Sequence, residues 1–217
     1  MQGIGSKINQ VGEWVYRLLI LNVLWLGFAL LGLGLLGIFP ATHALFAVLR
    51  KWTRNKRKIH ITKDFFCFYR KDFWKINALG YVLVLIAVIL WFDFRYFMSI
   101  TSFGMFVLGH FMLLFFVIVL LSICVLFPVF THYELSFAQY IKHALLYPIT
   151  HMGTMLLLIV SFLFYYFVAY QIPGLVPFLG MSLPCFIMMK IIYPTFQQKE
   201  KKAEGWFRSQ KAKRIYY

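Results

Sequence analysis

The stretch LLILNVLWLGFALLGLGLLGI, residues 18–38, decides the class of this protein, because its 21 consecutive residues carry no charge. At a rise of ~1.5 Å per residue such a helix is about 31 Å long, the thickness of a bilayer's hydrocarbon core. It can cross a membrane unaided. A cleaved signal peptide is the alternative, but that would carry an apolar region of about 7–15 residues and then a small-residue cleavage site. Here Phe39, Pro40 and His43 follow, so the segment is kept in the protein. Further apolar runs at 76–92, 103–127, 152–170 and 175–192 predict four more spans. The expected fold is all-α: a polytopic transmembrane helical bundle of about five spans, one domain over 1–217.

Composition points the same way. Hydrophobic residues make up 62% and charged residues 13%, whereas a soluble domain averages about 45–50% and about 25%. Disordered chains, collagen-like repeats and disulfide scaffolds are excluded by the same figures. The net charge of +15, from 22 Lys and Arg against 7 Asp and Glu, invites a nucleic-acid reading. The cations flank spans, however, where they set orientation. Ten fall between the first two spans and eight from Lys190 onward. With five spans, one side holds 19 of them against 3 on the other, which predicts the N-terminus outside and the C-terminus inside. Cys67, Cys124 and Cys185 show no CxxC and no metal spacing, so they read as small apolar packers.

An aromatic-Pro pair closes each odd-numbered span: Phe39-Pro40, Phe127-Pro128 and Tyr193-Pro194. One reading is three independent helix stops. The other is a parallel repeat, since Phe39-Pro40-Ala41-Thr42-His43 recurs as Phe127-Pro128-Val129-Phe130-Thr131-His132. Pro184 lies inside the fifth run and removes a backbone hydrogen bond that lipid cannot replace, so it is expected to face protein or water. Pro40, Pro128 and Pro184 are the candidate hinges.

The inner loop, 39–75, joins a basic run, Arg50 to Lys58, to an aromatic one, Asp64 to Lys75. Trp52, Arg54, Phe65, Phe66, Lys71, Phe73 and Trp74 are the expected inner interface. Their rings suit the acyl boundary and their cations suit anionic inner-leaflet lipids, at roughly 1 kcal/mol per cation at most. The same residues suit a protein-docking surface, and the two readings are compatible. The basic tail, 193–217, has the same two readings.

Groups able to carry chemistry are sparse. Asn22 and His110 are the intramembrane polar candidates for a site, and Glu134 follows His132 by two positions. Asn22 and Trp25 are read as helix-packing or partner contacts, by an interhelical hydrogen bond and an interfacial indole. Gly27, Gly32 and Gly34 permit close helix approach, with a local bend as the alternative. There is no GxxxxGKS/T, no HExxH and no paired carboxylates. No catalytic residue, metal or cofactor is expected, and any ATPase would reside on another chain.

The chain resembles the YesL-like membrane proteins of Bacillus-type bacteria. The resemblance rests on Asn22-Val23-Leu24-Trp25, Gly37-Ile38-Phe39-Pro40-Ala41-Thr42-His43-Ala44-Leu45, Trp52, Asp64-Phe65-Phe66 to Lys71-Asp72-Phe73, and Phe127-Pro128. It implies a multi-pass protein of the bacterial cytoplasmic membrane. Members are often encoded beside carbohydrate-uptake ABC transporters and polysaccharide-degrading enzymes, which implies a non-enzymatic accessory role with the permease subunits of such an importer. A small autonomous transporter or channel, with a path lined by Asn22, His110 and the broken fifth span, is the competing expectation. A membrane enzyme is third, because paired catalytic groups are missing.

Overall fold

The computed structural model describes the backbone of residues 2–54 and 60–215, and side chains at 9, 11–54 and 60–198. Among the described residues there are nine helices: α1 (Gln2–Leu31), α2 (Leu35–Thr53), α3 (Ile61–Lys71), α4 (Phe73–Met98), α5 (Phe103–His132), α6 (Phe137–Thr150), α7 (Met152–Gln171), α8 (Leu175–Leu179) and α9 (Ser182–Ile215). Four are long and apolar enough to cross a membrane: α1 over Val11–Leu31, α4, α5 and α7. The protein is an all-helical, multi-pass membrane bundle. Lys56, Arg57 and Lys58 of the basic run, and the side chains of the tail from Lys199 onward, lie outside the described residues.

The run 18–38, expected as one span, is broken. α1 ends at Leu31, and the Leu33 N–H donates to Leu30 O (3.0 Å) while the Gly34 N–H donates to Ala29 O (3.0 Å). This is the paired hydrogen-bond pattern of a Schellman cap, with Leu33 in the left-handed position at φ 58°. The Leu35 N–H then donates to Leu33 O (2.9 Å), closing a three-residue γ-turn on Gly34 at φ 71°, ψ −78°. The chain reverses. Gly32 and Gly37 meet across the reversal, where a Cβ on Gly32 would lie 2.3 Å from Gly37 Cα. α2 therefore runs back along α1, with Trp25 Nε1 donating to Thr42 Oγ1 (3.0 Å) and Trp14 packed edge-on against Trp52.

Residues 39–53, expected as the start of a loop, belong to this helix. Pro40 to Leu49 are all buried, as a helix without a polar face must be. α2 is thus the central helix of the protein. It continues past Pro40, and α5 continues past Pro128 to His132, so neither proline ends its helix. Phe39 and Phe127 stack at 6.3 Å, but one pair stands near the start of its helix and the other near the end. The two motifs do not occupy equivalent places.

α4 and α5 form an antiparallel pair, with Trp91 against Phe116 at one level and Lys75 over Phe130 near the other end. α3 lies along α1, burying Phe65 against Phe28. The fifth run, 175–192, is divided at Gly180 and Met181 into α8 and α9. Pro184 stands in the first turn of α9 rather than mid-helix, and it is buried in protein as expected. Asn22 secures this break. Its Nδ2 donates to Pro177 O (2.8 Å), and its Oδ1 accepts from the Met181 N–H (2.9 Å) and the Ser182 N–H (3.2 Å).

Candidate functional site

The start of α4, the ends of α5 and α6, and residues 195–196 of α9 gather at one end of the bundle. Tyr147 and Thr195 share a hydroxyl hydrogen bond (2.5 Å), and His132 stacks on Phe196 at 4.7 Å. An open cavity of about 830 Å³ lies at this end, between α2, α3, α4 and the α5–α6 connection. Its walls carry Arg50, Lys51, Arg54, Lys71 and Lys75, with Asp72 and Glu134 as the acids and His43 and His132 as the imidazoles. Phe68, Phe130, Tyr133 and Tyr140 supply rings.

Some of these cations build the wall. Arg50 donates to Thr131 O and, at 3.4 Å, to His132 O, so it caps the carbonyl end of α5. Lys51 pairs with Asp64 at 2.6 Å. Lys75 lies over the rings of Phe130 and Tyr140, 5.4 and 4.8 Å from their centroids. Tyr140 in turn donates to Tyr133 O (2.6 Å) and accepts from the Leu135 N–H (3.1 Å), holding the 133–136 connection against α6. Arg54 and Lys71 are exposed, and no ion pair is found for either among the described residues.

His43 is the least accommodated group. It is 4% exposed, and neither ring nitrogen has a hydrogen-bond partner. Its Nε2 is 3.8 Å from Asp72 Oδ2, beyond hydrogen-bond range. Burial, reinforced by the Lys71 charge, lowers its pKa to about 4, so the imidazole is neutral near pH 7. A neutral imidazole keeps one donor and one acceptor, which a ligand can use.

The expected interface residues divide. Trp52, Arg54, Phe65 and Lys71 turn inward or line the cavity: Trp52 packs on Trp14 and Phe186 under Arg17, and Phe65 is fully buried. Phe66 and Trp74 are exposed at 51% and 75%, while Phe73 packs between Tyr69 and Trp74. Gly32 is consumed by the α1–α2 reversal and Gly34 forms its turn, whereas Gly27 is exposed, and a Cβ added to it would meet nothing within 4 Å. Asn22 and Trp25 make contacts within the chain. His110 is exposed and bonded to Phe106 O at 2.8 Å, away from the Asn22 region. Sequence reasoning missed the roles of His43, Asn77 and Tyr140. The signals present were a histidine and an asparagine inside apolar helical stretches.

Comparison with known proteins places this architecture. The chain is 35% identical over 196 residues to the uncharacterized protein YteU of Bacillus subtilis, covering 87% of this chain and 85% of that one. The chain belongs to the YesL-like family. The family described as "Protein of unknown function, DUF624" matches residues 18–94, which run from within α1 through α2 and α3 to within α4. YesV of the same organism is 33% identical, covering 87% of this chain and 90% of its own length. YesL is 26% identical, covering 94% and 96%. No solved structure matches.

Proposed function

We propose that the protein is a non-enzymatic membrane partner of a carbohydrate ABC importer in the bacterial cytoplasmic membrane, held against its permease subunits. The observation that carries this reading is the distribution of polar groups. Charged side chains gather at one end of the bundle, while the flanks of the spans are apolar and unpartnered, as on α7, where Met155, Leu158 and Ala169 are the buried residues. Such a molecule is equipped to hold another membrane protein through its flanks and to select it through its charged end. The link to sugar import comes from the family resemblance. Purification from native membranes in mild detergent should recover permease subunits with it, and cells lacking it should import oligosaccharide more slowly. Recovery of the protein alone, with unchanged uptake, would favour an autonomous transporter.

The same reading places the charged end in the cytoplasm. The expectation of an external N-terminus required one span between Arg17 and Arg50, and the α1–α2 reversal removes that requirement by setting Trp14 beside Trp52. With the N-terminus on the same side as the basic segment, Arg95 is left as the one cation on the opposite side among the eleven whose side chains are described, a stronger bias than the five-span reading gave. Cys67, which is exposed, should resist an impermeant thiol reagent in intact cells, as should a cysteine at Asn9. One placed at Ser99 should react. Labelling of Cys67 without permeabilisation would reverse the orientation.

A further inference from the structure

We propose that the basic cavity is a binding site for a phosphorylated polyol, its phosphate met by Arg54 and Lys71 and its hydroxyls by Asp72, Glu134 and His43. The inference stands apart from the importer reading, and either can fail without the other.

Three observations carry it. The volume, about 830 Å³, is within the range of small-molecule sites. The lining holds five Lys and Arg against two carboxylates, so it carries an excess of positive charge. Arg50 and Lys51 are committed to α5 carbonyls and to Asp64, and Lys75, also exposed, lies over the rings of Phe130 and Tyr140, which leaves Arg54 and Lys71 as the exposed lining cations with no ion pair or ring contact found among the described residues. Guanidinium and ammonium groups of this kind bind phosphate by charge-assisted hydrogen bonds. A site for bare anions would have no use for Asp72 and Glu134, which repel phosphate. Carboxylates accept from hydroxyls, and so does an imidazole nitrogen. His43, buried in the wall with both nitrogens lacking a hydrogen-bond partner, is a polar group that such a ligand would satisfy. Tyr133, half-buried in the lining, adds a ring surface suited to the C–H face of a polyol.

Two sources present this chemistry: a soluble polyol phosphate, and the glycerol-phosphate headgroup of phosphatidylglycerol entering from the bilayer. The test uses the full-length protein in nanodiscs of phosphatidylcholine, with sn-glycerol 3-phosphate as the soluble probe, followed by the same measurement in nanodiscs containing one-fifth phosphatidylglycerol. Binding is read by calorimetry for the soluble probe, and by mass spectrometry of retained lipid for the second. Arg54→Gln and Lys71→Gln change exposed side chains and leave the packing intact, and Lys142→Gln serves as a charge control outside the cavity. Either source supports the site if Arg54→Gln and Lys71→Gln each weaken binding at least tenfold and Lys142→Gln changes it less than twofold. Saturable glycerol phosphate binding in phosphatidylcholine identifies the soluble source. Selective retention of phosphatidylglycerol with no soluble binding identifies the lipid. Absence of both, or equal loss in all three variants, overturns the proposal.

Discussion

Asn77 is expected to hold the central helix together at its proline. In an α-helix the N–H of residue 40 would donate to Leu36 O, and Pro40 has none to give. Asn77, 3% exposed on α4, donates its Nδ2 to Leu36 O at 3.0 Å and to Phe73 O at 3.0 Å. Its Oδ1 has no hydrogen-bond partner, so removing that atom costs nothing. Asn77→Leu keeps the volume and removes the donor. An unsatisfied carbonyl away from water costs about 1–3 kcal/mol, and the variant should lose that much stability. In a Pro40→Ala background the N–H restored at position 40 reaches Leu36 O from within the helix, and Asn77→Leu should then cost under about 1 kcal/mol. At the middle of these ranges the coupling is about 1–2 kcal/mol, within the range seen for residues sharing one hydrogen bond. Equilibrium unfolding in mixed micelles, run on the wild type, both single variants and the double variant, measures it. An equal cost of Asn77→Leu in both backgrounds would refute the compensation.

Three further outcomes follow from the same structure. Asn22→Ala strands Pro177 O and the Met181 and Ser182 N–H groups, so it should lower stability by about 2–4 kcal/mol in the same assay and raise protease cutting near Gly180. Gly34→Ala forces a side chain onto φ 71° and should cost about 1–3 kcal/mol, whereas Leu33→Gly, at φ 58°, should stay within about 1 kcal/mol of wild type because relieved strain offsets added chain entropy. His43 has its folded pKa lowered from 6.5 to about 4, so the unfolded chain takes up its proton first on acidification. Its contribution is complete above pH 6.5 and is lost as the pH falls toward 4, by up to about 3 kcal/mol. The stability of His43→Gln, relative to wild type, should therefore improve by that amount across this window.

The apolar runs that became α4, α5 and α7 were readable because uncharged length alone marks a span. The reversal at 32–34 was legible only as the alternative of a local bend at its glycines, because Gly-Leu-Gly is as apolar as its neighbours and no charge or proline punctuates it. What forms it is the pairing of Gly32 with Gly37, five residues apart, which becomes visible once the chain has turned. α2 escaped for a related reason. A helix buried on every side has no polar stripe to give it a period, and its proline resembled a stop until Asn77 supplied the missing hydrogen bond from another helix. Asn22 was legible as a packing residue, but its target, the broken backbone at 180–182, lies 159 and 160 positions away at the two N–H groups it meets. The cavity draws residues from His43 to Tyr140, and no local spacing encodes such a convergence. The basic loop announced cations but could not show which were already committed.

The most direct test of the account is whether the apolar flank and the charged end touch another membrane protein in living cells. A photoreactive residue at Gly27, where open space surrounds the backbone, and another at Trp74, 75% exposed, sample the two surfaces without disturbing the core. Irradiation of induced cells should yield adducts from both positions to the permease subunits of one carbohydrate importer. Adducts to lipid or to a second copy of this chain from both positions, with no permease among them, would contradict the partner role.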